Sequence, residues 1–337
     1  MNIELLIKIL NYQKDGIVIL DRNLNIKFIN EFAKKILSLD GKEIYKKTFY
    51  EIFKDNYFET IISYALQKID KNEEILIRNE EISLNDNVYL LNIFFIENHI
   101  VIKLSDVTPY EVYKQAKRDF VSNVSHELKT PIAVIQGVLE TIQNEEDINQ
   151  IKNFTKIAYK RIQQMNNLIN DLLTLAKLEI KEEKINKKII KIHNTVNSIF
   201  NDFSSIASEK NIKMINNINP NFEIFVDEQK FYILLRNLIE NAVKYNKENG
   251  LVEVRSYEDD KYSYVVVKDT GIGIPKEALP LIFERFYRVD KSRSREVGGT
   301  GLGLSIVKHI AEAHEGKALV KSELGKGSEF TIKIPKV

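Results

Sequence analysis

"NLIENAVKYN", Asn237 to Asn246, closes the longer run "FYILLRNLIENAVKYN" and sets two asparagines four residues apart, with a lysine three positions further on. On a helix this spacing puts Asn237 and Asn241 on one face and Lys244 a turn beyond. An amide oxygen suits magnesium and an ammonium suits phosphate. A solvated polar face accounts for the same residues, so the neighbouring segments have to decide.

Downstream, "DTGIGIP" (Asp269 to Pro275) follows the apolar strand "YSYVVVKD", and "GGTGLGLSI" (Gly298 to Ile306) opens a helix. Glycines allow close backbone approach, and a helix start offers unpaired N–H groups to phosphate oxygens. Each motif taken alone is a turn like many others. Between them lies "IFERFYRVDKSRS", where Phe283 and Phe286 are expected to pack inward while Arg285, Arg288, Lys291 and Arg293 reach outward to a polyphosphate. The order carries the inference: asparagine helix, Asp-x-Gly-x-Gly turn, aromatic and basic segment, glycine-rich helix start.

In that order the motifs resemble the ATP-binding domain shared by sensor histidine kinases, gyrase, Hsp90 and MutL, and most closely the kinase branch, with a likeness to the phosphate-sensor kinases. The resemblance implies that Asn241 holds Mg2+, that Asn237 supports the phosphates, and that Lys244, Tyr245 and Arg288 contact ATP. It implies that Asp269 reads the adenine amino group. Gly271, Gly273, Gly299, Gly301, Leu302 and Gly303 would shape the pocket and its lid. Glu240 meets the family's glutamate on the asparagine helix. Other branches place a water-activating glutamate four residues before the asparagine, where this chain has Asn237. That departure favours transfer to an acceptor over hydrolysis.

Upstream, apolar residues at Val112, Ala116, Phe120, Val124, Leu128, Ile132, Ile135, Leu139 and Ile142 recur in threes and fours, predicting one long amphipathic helix. After the polar loop "NEEDINQ" a second series runs from Ile151 to Leu175, predicting an antiparallel neighbour. A lone helical hairpin leaves half its seam exposed, so pairing into a four-helix bundle, and hence a homodimer, is expected.

The first of these helices holds "SHELKTP", Ser125 to Pro131. A zinc-peptidase box would need a second histidine where Thr130 stands. The segment instead resembles the phosphoacceptor box of the kinases. A neutral imidazole has one nucleophilic nitrogen, and a carboxylate at the other nitrogen's N–H orients it and raises its basicity. By the resemblance His126 is the acceptor, Glu127 the general base, and Thr130 positions a water for dephosphorylating a partner. Pro131 removes the partner of the Glu127 carbonyl and predicts a kink just after the histidine. His99, His193, His309 and His314 read as surface or packing residues.

Towards the N-terminus, "GIVILDRNLNIKFIN" predicts a hairpin, and "EEILIRNE", "VYLLNIFFIE" and "HIVIKLSDV" complete an antiparallel sheet. This region resembles a PAS sensor module, whose ligand is unknown, and "SDVTPYE" resembles that family's exit into a signalling helix.

The 337 residues are enough for two or three domains, and 49 basic against 48 acidic side chains point to no nucleic-acid partner. The sequence has no cysteine, which excludes disulfides and thiolate chemistry. Charges interrupt the apolar start, and no later run is long enough for a membrane span, so a cytoplasmic protein without its own anchor is expected.

The expected fold is α+β multidomain. A PAS-like sensor occupies 1–107, the dimerisation and phosphotransfer hairpin 108–185, and an α/β sandwich binding ATP 186–337. The expected function is autophosphorylation of His126 from Mg-ATP, then transfer to an aspartate in the receiver domain of a response regulator. A clamp-type ATPase and a docking phosphatase are the alternatives.

Overall fold

The structure, a computed structural model, describes residues 3–39, 44, 47–52, 56–69, 75–179, 185–289 and 299–336. They fall into two compact units, Met1–Val121 and Ser122–Val337.

The first unit holds α1 (Ile3–Tyr12), β1 (Asp15–Asp21), β2 (Ile26–Ile29), α2 (Glu31–Ile36), α3 (Phe49–Ile52), α4 (Asn56–Ile69), β3 (Ile75–Leu84), β4 (Asn87–Ile96) and β5 (His99–Asp106). The five strands form one sheet in the order β2-β1-β5-β4-β3, antiparallel throughout. Alternation explains the pairing. Val18 and Leu20 face inward on β1, as do Ile100, Ile102 and Leu104 on β5, and all five are fully buried with Phe49, Phe58 and Ile62 from the helices.

The first hairpin turns on Asp21, whose Oδ1 accepts the backbone N–H of Asn23 and of Asn25, each at 2.9 Å. The Asn25 side chain, the Asn25 and Asn23 amides and Lys27 all favour its ionised form, so its pKa is held well below the usual carboxylate range. Fully buried Asn30 has every polar atom engaged. Its Oδ1 caps α2 through Ala33 N and accepts Ile17 N, while its Nδ2 donates to Leu10 O and Asp15 O.

The long helices are α5 (Thr108–Gln143), which continues through Pro131, and α6 (Ile148–Glu179). The connection Asn144–Asp147 is tied by its own side chains, Glu145 Oε1 accepting Asp147 N and Asp147 Oδ1 accepting Asn149 N. None of the described α5 residues is buried, and Ile132, Leu139, Ile162 and Ile169 are all more than 40% exposed.

The remainder comprises β6 (Lys188–Lys191), α7 (His193–Asp202), α8 (Ser204–Glu209), β7 (Lys213–Asn217), β8 (Glu223–Val226), α9 (Glu228–Lys244), β9 (Leu251–Glu258), β10 (Tyr262–Asp269), α10 (Gly303–Ala313), β11 (Lys317–Glu323) and β12 (Gly327–Pro335). A sheet ordered β11-β12-β10-β9-β7 carries α7, α9 and α10 on one face. Its strands are antiparallel except β7, which runs parallel to β9. Phe231, Leu234, Leu235, Leu238, Ile239, Ala242 and Val243 give α9 a stripe buried against the sheet.

Leu168 and Leu175 of α6 belong to this core, with Leu128 of α5 and Leu172 packed beside them. Fully burying a leucine is worth about 1.5–3 kcal/mol, so α6 is anchored by more than its own helix.

Two elements differ from the sequence reading. The sequence from about His193 to Lys210 reads as one helix, but it is broken at Phe203, which ends α7 and begins α8. The lysine-flanked "KIIK", at the end of the charged stretch "EIKEEKINKK", forms β6 against β8, a strand that the sequence reading does not include.

Candidate functional site

At the N-terminus of α9, Asp227 Oδ1 accepts Lys230 N at 3.1 Å, and its Oδ2 accepts Asn186 N at 3.1 Å. The Asp227 N–H donates to His314 Nε2 at 2.9 Å, while His314 Nδ1 lies 2.7 Å from the Ile310 carbonyl. Nδ1 therefore carries the proton and the ring is neutral. Burial, with help from Lys187 and Lys230, lowers the pKa of His314, which is 1% exposed. At the other end, Lys210 Nζ donates to the Lys244 carbonyl at 2.7 Å, a cation where the helix dipole favours one.

So held, α9 presents Asn237, Glu240, Asn241, Lys244 and Tyr245 to one cleft of about 970 Å³. The opposite walls bring Asp269, Gly273, Arg288, Gly299, Gly301 and Gly303. Ten of the twelve residues expected to bind nucleotide therefore line a single cavity. The two that do not are Gly271 and Leu302. Gly271 instead donates its N–H to Asp269 Oδ1 at 2.8 Å. Leu302 is fully buried at the start of α10, where it belongs to the core rather than to the pocket surface. Lys291 and Arg293 lie outside the described residues.

Asp269 ends β10 and is 8% exposed. Burial raises its pKa, and the N–H groups of Gly271 and Ser328, both on Oδ1, hold the carboxylate form against that push. With Oδ1 committed, Oδ2 is the acceptor left for a ligand.

Gly273 has φ +70°, and a Cβ there would lie 2.0 Å from the Glu323 carbonyl oxygen, so only glycine fits. Gly303 is a close approach of another kind. A Cβ on it would sit 2.6 Å from Asn237 Oδ1, whose Nδ2 donates to Ile233 O. The glycine that opens α10 thus makes room for the first asparagine of α9.

Lys244 pairs with Glu240 at 2.6 Å, one turn away. Phe283 packs edge-on against Phe330 with ring centroids 6.4 Å apart, and Phe286 joins the core, as their apolar character required. Phe286 N donates to Gly301 O at 2.9 Å, fastening the aromatic segment to the glycine-rich one.

On α5, His126 and Thr130 are exposed and Glu127 is half-buried. These three do not line the cleft, but Glu127 meets it: its Oε1 lies 3.6 Å from Arg288 Nη1. The Thr130 hydroxyl donates to the His126 carbonyl at 3.2 Å.

The sequence reading misses a wall. Asn167, Asn170, Asp171 and Thr174 of α6 complete the cleft, with Arg236 and Lys210. Burial raises the pKa of Asp171, opposed by the hydrogen bond that Thr300 donates to its Oδ2 at 2.8 Å. No local signal marks Asp171, which sits in the polar phase of an ordinary amphipathic helix. Buried Asn246 is missed as well; it ties the end of α9 to Leu251 through Nδ2.

Residues 226–337 match the family model described as "Histidine kinase-, DNA gyrase B-, and HSP90-like ATPase". Residues 116–180 match the "His Kinase A (phospho-acceptor) domain". Sensor histidine kinase WalK of Bacillus subtilis is 32% identical over 342 residues, covering 98% of this chain and 55% of that protein, so the chain spans about half that relative's length. A sensor protein kinase WalK of Staphylococcus aureus is 33% identical over 343 residues, covering 97% of this chain and 80% of the relative. Among solved structures, Acinetobacter baumannii histidine kinase AdeS aligns with a TM-score of 0.51 at 25% identity, over 62% of this chain and 97% of that one. Histidine kinase ThkA, crystallised with response regulator protein TrrA, aligns over 96% of both chains with a TM-score of 0.54 at 21% identity, a likeness of fold. With one relative a third identical over four-fifths of its length, and with both family models on the segments that carry the cleft and the His126 helix, this chain belongs to the sensor histidine kinases.

Proposed function

We propose that the chain binds Mg-ATP in the cleft between α9 and the glycine-rich segments and transfers the γ-phosphoryl group to His126. The observation that carries this reading is the Arg288–Glu127 contact, which joins the cleft to the residue beside the acceptor histidine.

Asp269 Oδ2 reads the adenine amino group, Asn237, Lys244, Tyr245 and Arg288 bind the nucleotide, and Gly299, Gly301 and Gly303 let the backbone approach it. The Asn241 amide oxygen would hold Mg2+, which takes hard oxygen ligands. The metal offsets phosphate charge when bound. The unprotonated nitrogen of His126 attacks the γ-phosphorus, the bond to the ADP oxygen breaks, and Glu127 accepts the proton from the other ring nitrogen. Positioning supplies most of the acceleration.

The phosphoryl group then passes to an aspartate on the receiver domain of a response regulator. Thr130 positions the water that reverses this modification. The acceptor helices pair with those of a second copy, a reading supported by the apolar residues left exposed along α5 and α6. Residues 1–107 act as a PAS-like sensor, supported by the sheet order β2-β1-β5-β4-β3. Dependence on ATP argues for kinase units in the cytoplasm, and among the described residues no helix is long and apolar enough to cross a membrane.

Incubation with γ-labelled ATP and Mg2+ tests the reading. Wild type should acquire an acid-labile, alkali-stable label that His126→Gln and Asn241→Ala both lack. Label persisting in His126→Gln rejects the acceptor.

A further inference from the structure

Arg288 lines the cleft with a side chain only 10% exposed, and among the described residues no acceptor reaches its buried Nε. A guanidinium has five N–H donors in a planar fork, made to grip an anion on two edges. Its one ion-pair partner among the described residues is Glu127, reached from Nη1 at 3.6 Å, beyond hydrogen-bonding distance. The other amino nitrogen points along the glycine-rich segment: a Cβ on Gly299 would stand 3.9 Å from Nη2 and 3.1 Å from the Tyr245 hydroxyl. The fork therefore has one arm towards the carboxylate on α5 and another in the cavity that carries Lys244, Tyr245 and Asn241.

We propose that Arg288 is shared between two anions, the Glu127 carboxylate and the nucleotide phosphates, so that nucleotide entering the cleft draws Arg288 away and releases Glu127 to His126. The inference rests on the nucleotide-site reading above and adds a coupling that the reading does not require. The attraction of the guanidinium for the Glu127 carboxylate, Oε1 to Nη1 at 3.6 Å, competes with that carboxylate's approach to the imidazole N–H. A polyphosphate carries several negative charges and accepts bidentate hydrogen bonds, so it outcompetes a single half-exposed carboxylate. The base is thereby freed only when a phosphoryl donor is in place. Arg288 is in this respect a positioning residue acting through Glu127.

Competition has a signature in binding alone, without phosphoryl transfer. Removing the competing carboxylate should tighten nucleotide binding, because Arg288 no longer has to leave it. Titration calorimetry of the full chain with Mg2+ and a non-hydrolysable ATP analogue should show Glu127→Gln and Glu127→Ala binding about two- to five-fold tighter than wild type, the range of a partly exposed ion pair. Arg288→Met should bind about ten-fold more weakly, and Glu127→Gln added to Arg288→Met should change nothing further. Unchanged or weaker binding in both Glu127 variants overturns the proposal, as does tightening that persists beside Arg288→Met. A wild-type chain that fails to bind the analogue overturns the nucleotide site itself, a different result from normal binding without coupling.

Discussion

The Thr300 hydroxyl donates to Asp171 Oδ2 at 2.8 Å, joining residues 129 positions apart. The same hydroxyl accepts Leu302 N at 3.2 Å, so one side chain ties α6 to the first turn of α10. Asp171→Ala should loosen that turn and speed hydrogen exchange at the Leu302 amide by about ten-fold, as expected for a local opening that loses one anchor. Asp171→Asn keeps an acceptor and should preserve the protection. Equal exchange in all three proteins would show that the tie restrains nothing.

Asp171 also makes a prediction about pH. Burial raises its pKa above the unfolded value of 3.8, so its charge opposes folding once the pH exceeds that range. Stability falls as pH rises from the unfolded towards the folded pKa and levels off above it. Asp171→Asn should therefore raise Tm at pH 7 by about 1–2 °C, the size of a ~0.5 kcal/mol gain in a unit of this length. The advantage should vanish below about pH 3, where the wild-type carboxyl is protonated in both states. Thermal scans at the two pH values decide the matter.

His314 acts with the opposite sign. Its folded pKa is depressed below 6.5, chiefly by burial, so the unfolded chain takes up a proton first as pH falls. Stability present above pH 6.5 should be lost on acidification until the folded pKa is reached. His314→Phe removes that slope and also strips the buried Asp227 N–H of its acceptor, costing about 1–3 kcal/mol at pH 7.5. Urea denaturation of both proteins at pH 7.5 and 5.5 separates the two effects.

Gly303→Ala tests how α9 and α10 share space. The new methyl group would press on Asn237 Oδ1, which can swing aside, so the fold should persist. Transfer from ATP should drop by about ten-fold or more, as a misplaced positioning group does. A Tm within a few degrees of wild type with undiminished labelling would mean that Asn237 has no part in the reaction.

The exposed apolar faces of the long helices lead to a prediction about assembly. Leu139 is 52% and Ile162 45% exposed in the single chain. Placing aspartate at both should convert a dimer to a monomer in sedimentation equilibrium, since charge in an apolar seam is costly. A dimer that survives the double change lies elsewhere.

Much of the fold and of the cleft is legible in the order of the residues alone. The asparagine spacing of α9, the Asp269 turn and the glycine-rich start of α10 are local patterns, and each lies where its periodicity puts it. Phe283 and Phe286 are readable as inward for the same reason. Asp171, Thr300 and Asn246 are not, because their roles come from partners brought close only by folding. The break at Phe203 is hidden because an apolar residue continues the helical period while its backbone leaves it. Strand β6 is hidden because lysines flank an isoleucine pair and Ile189 faces solvent, leaving no buried alternation to detect.

Leu168 and Leu175 of α6 sit in the same core as the strands and helices of the ATP-site sheet. A protein engineer who cut the chain at residue 186 to exchange one kinase's ATP-binding module for another's would slice through packed side chains. The severed module would show bare apolar surface where those leucines had been, and would lose Asp171 from its cleft. The natural seam for grafting lies further back, in the middle of α6, ahead of Leu168.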